Sequence, residues 1–180
     1  DETDGPKMTD AQRAQALSFL NRPTLLEDVL EHIDIMGTVG ETQNKLYMYC
    51  VAVSRKLDDP LSCSVVSQSS SGKSALAEVV ERLTPPEDLY FITSASDKSF
   101  YNLGPWDIAH KLIIIEEKAG IENIDYCIRA LQSKKRLSQF VSRKDEQTGE
   151  IKTKYFVIHG PIAYIDGTTD RIHPENATRC

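Results

Sequence analysis

The sequence has few features of a disulfide-rich, metal-binding or membrane-spanning protein. Its 180 residues include four cysteines that are far apart, without a CxxC pair or a histidine at zinc-ligand spacing. Reduced thiols, as in a cytoplasmic protein, are therefore expected. No apolar run approaches the roughly 18–20 residues of a membrane span, and the first residues do not resemble a signal peptide. We expect no membrane partner.

An overall excess of positive charge is also lacking. Lys and Arg number 21 against 27 Asp and Glu, a net charge of −6, which argues against a protein that coats nucleic acid with its whole surface. Residues 129–154, however, hold eight basic and three acidic residues, a net charge of +5. This window suits a nucleic-acid backbone, with Lys144, Lys152 and Lys154 as the leading contacts. The alternative is that these cations protect an exposed strand edge.

Composition and helix-start signals divide the chain into three parts. Residues 1–8 are polar and punctuated by Gly and Pro, which predicts a disordered lead-in. Residues 9–60 are expected to be helical, with capping boxes that begin at Thr9 and Thr24. Residues 61–180 carry strand and helix signals in turn. Both ends look cut, so the chain is expected to be a piece of a longer protein.

The third part has an α/β pattern. Strands are predicted at Leu61–Val66, Leu89–Thr93, Lys111–Ile115 and Ile162–Ile165, helices at Lys73–Leu83 and Ile121–Ser133, and a hairpin at Arg136–Ser142 and Ile151–Ile158. The run Lys111–Ile115 is continuously apolar, which is typical of a parallel strand covered on both faces.

A phosphate-binding loop is predicted between the first of these strands and the following helix. Small residues let successive backbone N–H groups surround a phosphate, and here they are Ser69, Ser70, Ser71 and Gly72. Lys73 would contact the β- and γ-phosphates of ATP, and the Ser74 hydroxyl would bind Mg²⁺. Ser67 stands where the usual pattern has glycine. The alternative is a flexible Ser/Gly linker.

Two acids, Glu116 and Glu117, follow the strand Lys111–Ile115. The carboxyl ends of parallel strands form the crevice where open α/β sheets bind ligands. In a P-loop ATPase the first acid, here Glu116, holds Mg²⁺, and the second, Glu117, polarises the attacking water. The alternative is a solvated turn after a strand.

The segment after Ile165 offers two further candidates. Thr168 or Thr169 is placed to reach the γ-phosphate or its water, although Asp166 to Thr169 also fits an ordinary turn. Arg179 is a candidate arginine finger that would act on a neighbouring subunit's nucleotide.

The order of these segments resembles the ATPase domain of bacterial and mobile-element DNA primase/helicase proteins. That group is similar in layout to superfamily 3 and minichromosome-maintenance-like AAA+ helicases. The resemblance covers most of residues 9–180. It includes residues 52–62, the SSSGKSAL loop, the Glu116–Glu117 pair, Ala130–Ser133 and the ENATR tail.

The resemblance implies a P-loop NTPase fold of the AAA+ type, with a three-layer αβα core, an N-terminal helical preface and a hairpin before the last strand. It implies Walker A residues at Lys73 and Ser74, Walker B acids at Glu116 and Glu117, sensor 1 at Thr169 or Thr168, and an arginine finger at Arg179. The implied hairpin spans residues 136–158, and the C-terminal lid would be absent.

The expected function is therefore an ATPase motor core that couples Mg-ATP hydrolysis to movement on DNA in a replication protein. The resemblance also implies single-stranded DNA as partner, a hexameric ring in the full-length protein and an attached or associated primase domain. Two alternatives stay open at this point. One is a nucleotide or small-molecule kinase, but kinases usually lack a catalytic glutamate directly after the first acid, so Glu117 argues against this alternative. The other is a degenerate nucleotide-binding regulatory module, which is credible because Ser67 replaces the usual glycine.

Overall fold

The computed structural model describes residues 8–38, 40–66, 73–93, 100, 102–115, 122–144 and 150–168. Within them, only the backbone is described at residues 73–76, 122, 123, 143, 144 and 152. The chain divides into two compact units, Asp1–Tyr47 and Met48–Cys180. Compactness alone does not define a folding domain, so the expected boundary at residues 60 and 61 stays a prediction.

The first unit is helical. It holds α1 (Asp10–Leu20), α2 (Leu25–Ile35) and the beginning of α3 (Thr42–Ser54). The capping box at Thr9 is confirmed: the Gln12 amide donates to Thr9 Oγ1 at 3.2 Å, and the Thr9 amide donates to Gln12 Oε1 at 2.9 Å.

The capping box predicted at Thr24 is wrong. Thr24 accepts no side-chain capping bond, and its hydroxyl instead lies 3.4 Å from Asp28 Oδ2. Its backbone, with φ −95° and ψ 19°, is not in the extended conformation that a capping side chain needs to reach the N3 amide.

The second unit is a mixed α/β fold built on a parallel sheet of four strands. The strands are β1 (Ser62–Val66), β2 (Leu89–Ile92), β3 (Lys111–Ile115) and β6 (Ile162–Thr168), in the order β1-β6-β3-β2. All three pairings are parallel. The apolar, β-branched composition of β3 matches a central strand that is covered on both faces.

Helices cover both faces of this sheet. One core cluster joins α3 and α4 (Lys73–Leu83) to the face that carries Leu112, Ile114 and Ile165. A second cluster joins α5 (Glu122–Lys134) to the opposite face, which carries Ile113, Ile115 and Tyr164. The α/β prediction is confirmed at this level.

An antiparallel hairpin precedes the last strand, as predicted. It consists of β4 (Arg136–Lys144) and β5 (Ile151–His159), and Arg136 pairs with His159 at its base. Near that base, Leu137 and Ile158 are buried in the core, whereas Phe140, Ile151 and Tyr155 are exposed. The outer part of the hairpin therefore lies outside the core.

The last strand, β6, extends further than predicted. We expected a strand at Ile162–Ile165 followed by a turn, but β6 continues to Thr168. It is paired with β1 up to Thr168 and with β3 up to Asp166. Pairing with β1 thus holds Asp166, Gly167 and Thr168 in extended conformation, and Asp166 is also paired with β3. The Asp-Gly sequence alone, as a turn signal, does not predict this extension.

Candidate functional site

Three of the motifs found in the sequence begin at one edge of the sheet. Because β1, β6 and β3 are parallel and adjacent, their carboxyl ends lie side by side. Val66, the last residue of β1, is in register with Thr168, and Ile115, the last residue of β3, is in register with Asp166. Neighbouring strands are about 4.8 Å apart, so the ends of β1 and β3 are separated by about 10 Å.

The predicted phosphate-binding loop connects β1 to α4. Ser69, Ser70, Ser71 and Gly72 lie outside the described residues. α4 begins at Lys73, so Lys73 and Ser74 occupy its first turn; their side chains are not described. The first turn of a helix presents backbone N–H groups that lack partners within the helix, and these favour an anion.

The remaining candidates of the nucleotide site are described only in part. Glu116 and Glu117 follow β3 directly but lie outside the described residues, as do Thr169 and Arg179. Thr168 is described: it is half-buried and ends β6, the strand between β1 and β3. The described residues hold no cluster of His, Cys, Asp or Glu arranged to bind a metal.

Asp166 is a further candidate site residue, which the sequence analysis did not select. It lies near the carboxyl end of β6, and it is only 1% exposed. The Tyr164 hydroxyl donates to its Oδ2 at 3.0 Å. A buried carboxylate is costly unless it is hydrogen-bonded. Its sequence signal is a single acid within the otherwise apolar stretch that begins at Ile162.

The cations selected as nucleic-acid contacts all lie on the hairpin. Lys152 pairs with Arg143 across its two strands, Lys154 pairs with Val141, and Lys144 pairs with Ile151. Lys154 is exposed, and the side chains of the other two lysines are not described. The register thus places Arg143 directly opposite Lys152, so two cationic residues form a cross-strand pair.

The opposite, amino edge of the sheet holds a cluster of ion pairs. Asp88, just before β2, accepts hydrogen bonds from Arg55 Nε at 3.1 Å, from Arg55 Nη2 at 3.0 Å and from Lys56 Nζ at 2.7 Å. Burial alone would raise the pKa of Asp88, but the hydrogen bonds and charges of Lys56 and Arg55 outweigh burial and lower it. One carboxylate thus pairs with two cations, and the three side chains keep a net charge of +1.

Comparisons with known proteins do not identify a family. No family model matches the chain, and no curated protein matches it. Among solved structures, fifteen chains match, including a crystal structure of NtrX from Brucella abortus. The similarity to NtrX covers 97% of this chain and 41% of the NtrX chain, with 12% sequence identity and a TM-score of 0.44. The chain therefore spans less than half the length of NtrX.

These comparisons overturn the resemblance to primase/helicase proteins. No family model matches the chain, so no primase or helicase model does, and the solved structures that match include NtrX, a different protein. The resemblance depended on short motifs. Small residues before a helix and acids after a strand also suit other α/β proteins that bind ligands at the carboxyl edge of the sheet, so they do not identify one family. The primase domain, the hexameric ring and the motor activity followed from that resemblance, and they are not carried further.

The described residues include no helix that is long and apolar enough to cross a membrane.

Proposed function

We propose that residues 61–180 bind Mg-ATP as a P-loop NTPase with a three-layer αβα core, and that they hydrolyse it. The observation that supports this most directly is the convergence at the carboxyl edge of the sheet. Two of the sequence motifs follow the ends of β1 and β3, and the third lies at the end of β6. These strands are neighbours in the sheet, although the motifs are about 40 to 100 positions apart in the sequence. Ligands of open α/β sheets bind at this edge.

Each residue type suits one part of the nucleotide. The small residues 69–72 and the first turn of α4 offer backbone N–H groups to the phosphates, and Lys73 offers a positive charge. Ser74 and Glu116 carry the hydroxyl and carboxylate oxygens that Mg²⁺ prefers as ligands. When bound, Mg²⁺ would neutralise charge that develops on the phosphates.

Hydrolysis requires a residue that orients and polarises a water molecule. Glu117 is the candidate, since it follows β3 immediately after Glu116. Thr168, the last residue of the central strand β6, or Thr169, the next residue in the sequence, would hold the γ-phosphate or the water by a hydrogen bond. Arg179 would complete the site of a second copy of the chain, which makes a homo-oligomer part of the proposal.

The positive charge of the hairpin supports a nucleic-acid partner. Residues 129–154 have a net charge of +5 in a chain of −6, so the remainder of the chain carries −11. The phosphates of a nucleic acid would be attracted to this window more than to the rest of the surface. We therefore propose that a single nucleic-acid strand binds at the hairpin, with Lys144, Lys152 and Lys154 as contacts.

The first test measures binding of a fluorescent ATP analogue. Lys73→Ala removes a charged hydrogen-bond donor from the phosphates, so affinity should fall at least about 10-fold. Lys134→Ala is the matched control, because Lys134 is an exposed lysine in the last turn of a different helix, α5. Equal affinities in the wild type and in Lys73→Ala would reject the phosphate-binding loop.

The second test separates binding from hydrolysis. Glu117→Gln should keep ATP affinity within about 3-fold and reduce phosphate release by about 100-fold or more, since only activation of water is lost. Glu87→Gln is the matched control, because Glu87 is exposed and precedes β2 at the amino edge. Unchanged phosphate release in Glu117→Gln would contradict its role. Phosphate transfer that requires an added acceptor would favour the kinase alternative.

A further inference from the structure

One face of the hairpin carries an exposed row of aromatic side chains. Side chains alternate between the two faces of a strand. One face of the hairpin carries the buried Leu137 and Ile158, and the residues at the alternate positions lie on the other face. That other face includes the cross-strand pairs Phe140–Tyr155 and Ser142–Thr153. Phe140 is 71% exposed and Tyr155 57% exposed, although aromatic residues normally bury most of their surface.

Two aromatic contacts lie along this face. The rings of Phe140 and Tyr155 have centroids 5.0 Å apart and are tilted by 43°. At the base of the hairpin, the His159 imidazole stacks on the Trp106 indole with centroids 3.9 Å apart and planes within 12°. We call Trp106, His159, Phe140 and Tyr155 the aromatic face.

The loop that carries Trp106 is fastened to the hairpin. The His159 amide donates to the Pro105 carbonyl at 2.7 Å, and Asp107 Oδ2 accepts from the Gly104 amide at 2.7 Å. These bonds hold the indole against the imidazole, yet Trp106 is 66% exposed. One ring face of Trp106 is thus covered by His159, and the opposite ring face can accept another stacking partner.

The spacing and the polar neighbours suit a strand of nucleotides. Tyr155 and His159 are four residues apart on β5, or about 13 Å, so a strand a few nucleotides long reaches both aromatic contacts. Hydroxyls lie beside them: Ser142 Oγ and Thr153 Oγ1 are 2.8 Å apart, and both residues are exposed. Aromatic rings stack on any base, and hydroxyls and cations serve the sugar and phosphates.

Charge distinguishes a nucleic acid from a protein as the occupant. Arg136 is exposed at the base of the aromatic face, Lys154 is exposed on the reverse of the hairpin, and the surrounding window has a net charge of +5. The cores of protein interfaces are depleted of charged residues, whereas single-strand sites combine cations with aromatic rings.

We propose that the aromatic face binds single-stranded nucleic acid by stacking its bases on Tyr155, Phe140 and Trp106. The inference rests on the proposed nucleic-acid partner and adds how the strand is held: by its bases as well as by its phosphates. Binding should therefore depend on the presence of bases and little on their identity. It should not require ATP.

Trp106 supplies a direct signal for the test because it is the only tryptophan of the chain. The whole chain is titrated without nucleotide, once with an oligo-dT strand of about 15 nucleotides and once with an abasic strand of the same length. Both strands carry the same phosphates. We expect oligo-dT to quench Trp106 fluorescence and to bind about 10-fold or more tightly than the abasic strand.

Substitutions then assign the base-dependent part of the affinity. Phe140→Leu and Tyr155→Leu should each weaken oligo-dT binding by about 5-fold and leave abasic-strand binding unchanged. Tyr155→Phe keeps the ring and should bind as the wild type does. Ile151→Ala is the matched control, because Ile151, on the same hairpin, is about as exposed as Phe140 but is not aromatic. Lys154→Ala should weaken both strands alike. Equal thermal unfolding of all variants checks that the hairpin is intact.

Two results would overturn the proposal, and they have different consequences. Equal affinity for the oligo-dT and abasic strands would reject base stacking but keep the phosphate contacts of the proposed function. Failure to bind either strand would reject nucleic acid as the partner, and it would favour a protein as the occupant of the aromatic face. Neither result bears on ATP binding.

Discussion

Asp88 connects the end of α3 to the start of β2 through two cations. Its Oδ2 accepts both hydrogen bonds from Arg55, and its Oδ1 accepts one from Lys56. The side chains of Arg55 and Asp88 are 11% and 16% exposed, whereas that of Lys56 is 53% exposed. Replacing Asp88 with Asn removes the negative charge and changes the shape of the side chain very little.

The two ion pairs should contribute unequally. Arg55 is largely withdrawn from water, and a hydrogen bond to a charged group is worth about 1.5–3 kcal/mol there. The bond to Lys56 is half-exposed, so we expect less than about 1 kcal/mol from it. Asp88→Asn should therefore lower the free energy of unfolding by about 2 kcal/mol at pH 7, and Lys56→Ala by less than about 1 kcal/mol.

The effect of Asp88→Asn should depend on pH in one direction. Arg55 and Lys56 lower the pKa of Asp88 in the folded state, so its stabilisation is fully present above the usual pKa of an aspartate. It is lost as pH falls through the lowered folded-state pKa. Urea unfolding of the wild type and of Asp88→Asn at pH 7, 5 and 3 (about the range of the aspartate titration) measures this. Equal stabilities at pH 7, or a difference that does not shrink in acid, would refute the reasoning.

Two further predictions concern the helix caps and the cations of the hairpin. Thr9→Ala should speed amide hydrogen exchange in the first turn of α1 by about 5-fold, because the Thr9 side chain accepts a capping hydrogen bond from the Gln12 amide. Thr24→Ala should leave the exchange rates in the first turn of α2 unchanged, because Thr24 makes no such bond. Similar exchange in both variants would contradict the difference between the two caps. Replacing Lys152 and Lys154 together should lower the slope of log K against log salt for a single strand by about 1.4. An unchanged slope would favour the protection of an exposed strand edge.

Local sequence patterns predicted most of the elements. The run Lys111–Ile115 is apolar without alternation, and it became β3 with the bounds expected. α4 began at Lys73 and ended at Leu83, since an amphipathic pattern follows the small residues of the loop. In both segments the spacing of apolar residues along the chain decides the conformation, so one short window contains the whole signal.

The strand order could not be predicted, because it depends on contacts far apart in the chain. Nothing in β1 or β3 specifies that β6, from the end of the sequence, lies between them. Long-range pairing also explains the error at β6. Its pairing with β3 reaches Asp166 and its pairing with β1 reaches Thr168, so the strand continues through Asp166 and Gly167, which by themselves favour a turn. The burial of Asp166 beside Tyr164 and the stacking of Trp106 on His159 are also consequences of tertiary structure.

The strand β6 also links the two proposed sites. The hairpin that carries the aromatic face ends at His159, and β6 begins at Ile162, so only Gly160 and Pro161 separate them. The Gly160 amide donates to the Lys135 carbonyl at 2.8 Å, and the Pro161 carbonyl accepts from the His110 amide at 2.7 Å. These bonds fix the connection to the residue that follows α5 and to the residue that precedes β3. From there β6 runs through the centre of the sheet to Thr168. At Thr168 it reaches the carboxyl edge, where we propose that ATP binds. Because binding free energies are reciprocal, a nucleic acid that changes ATP affinity by some factor would have its own affinity changed by ATP by the same factor.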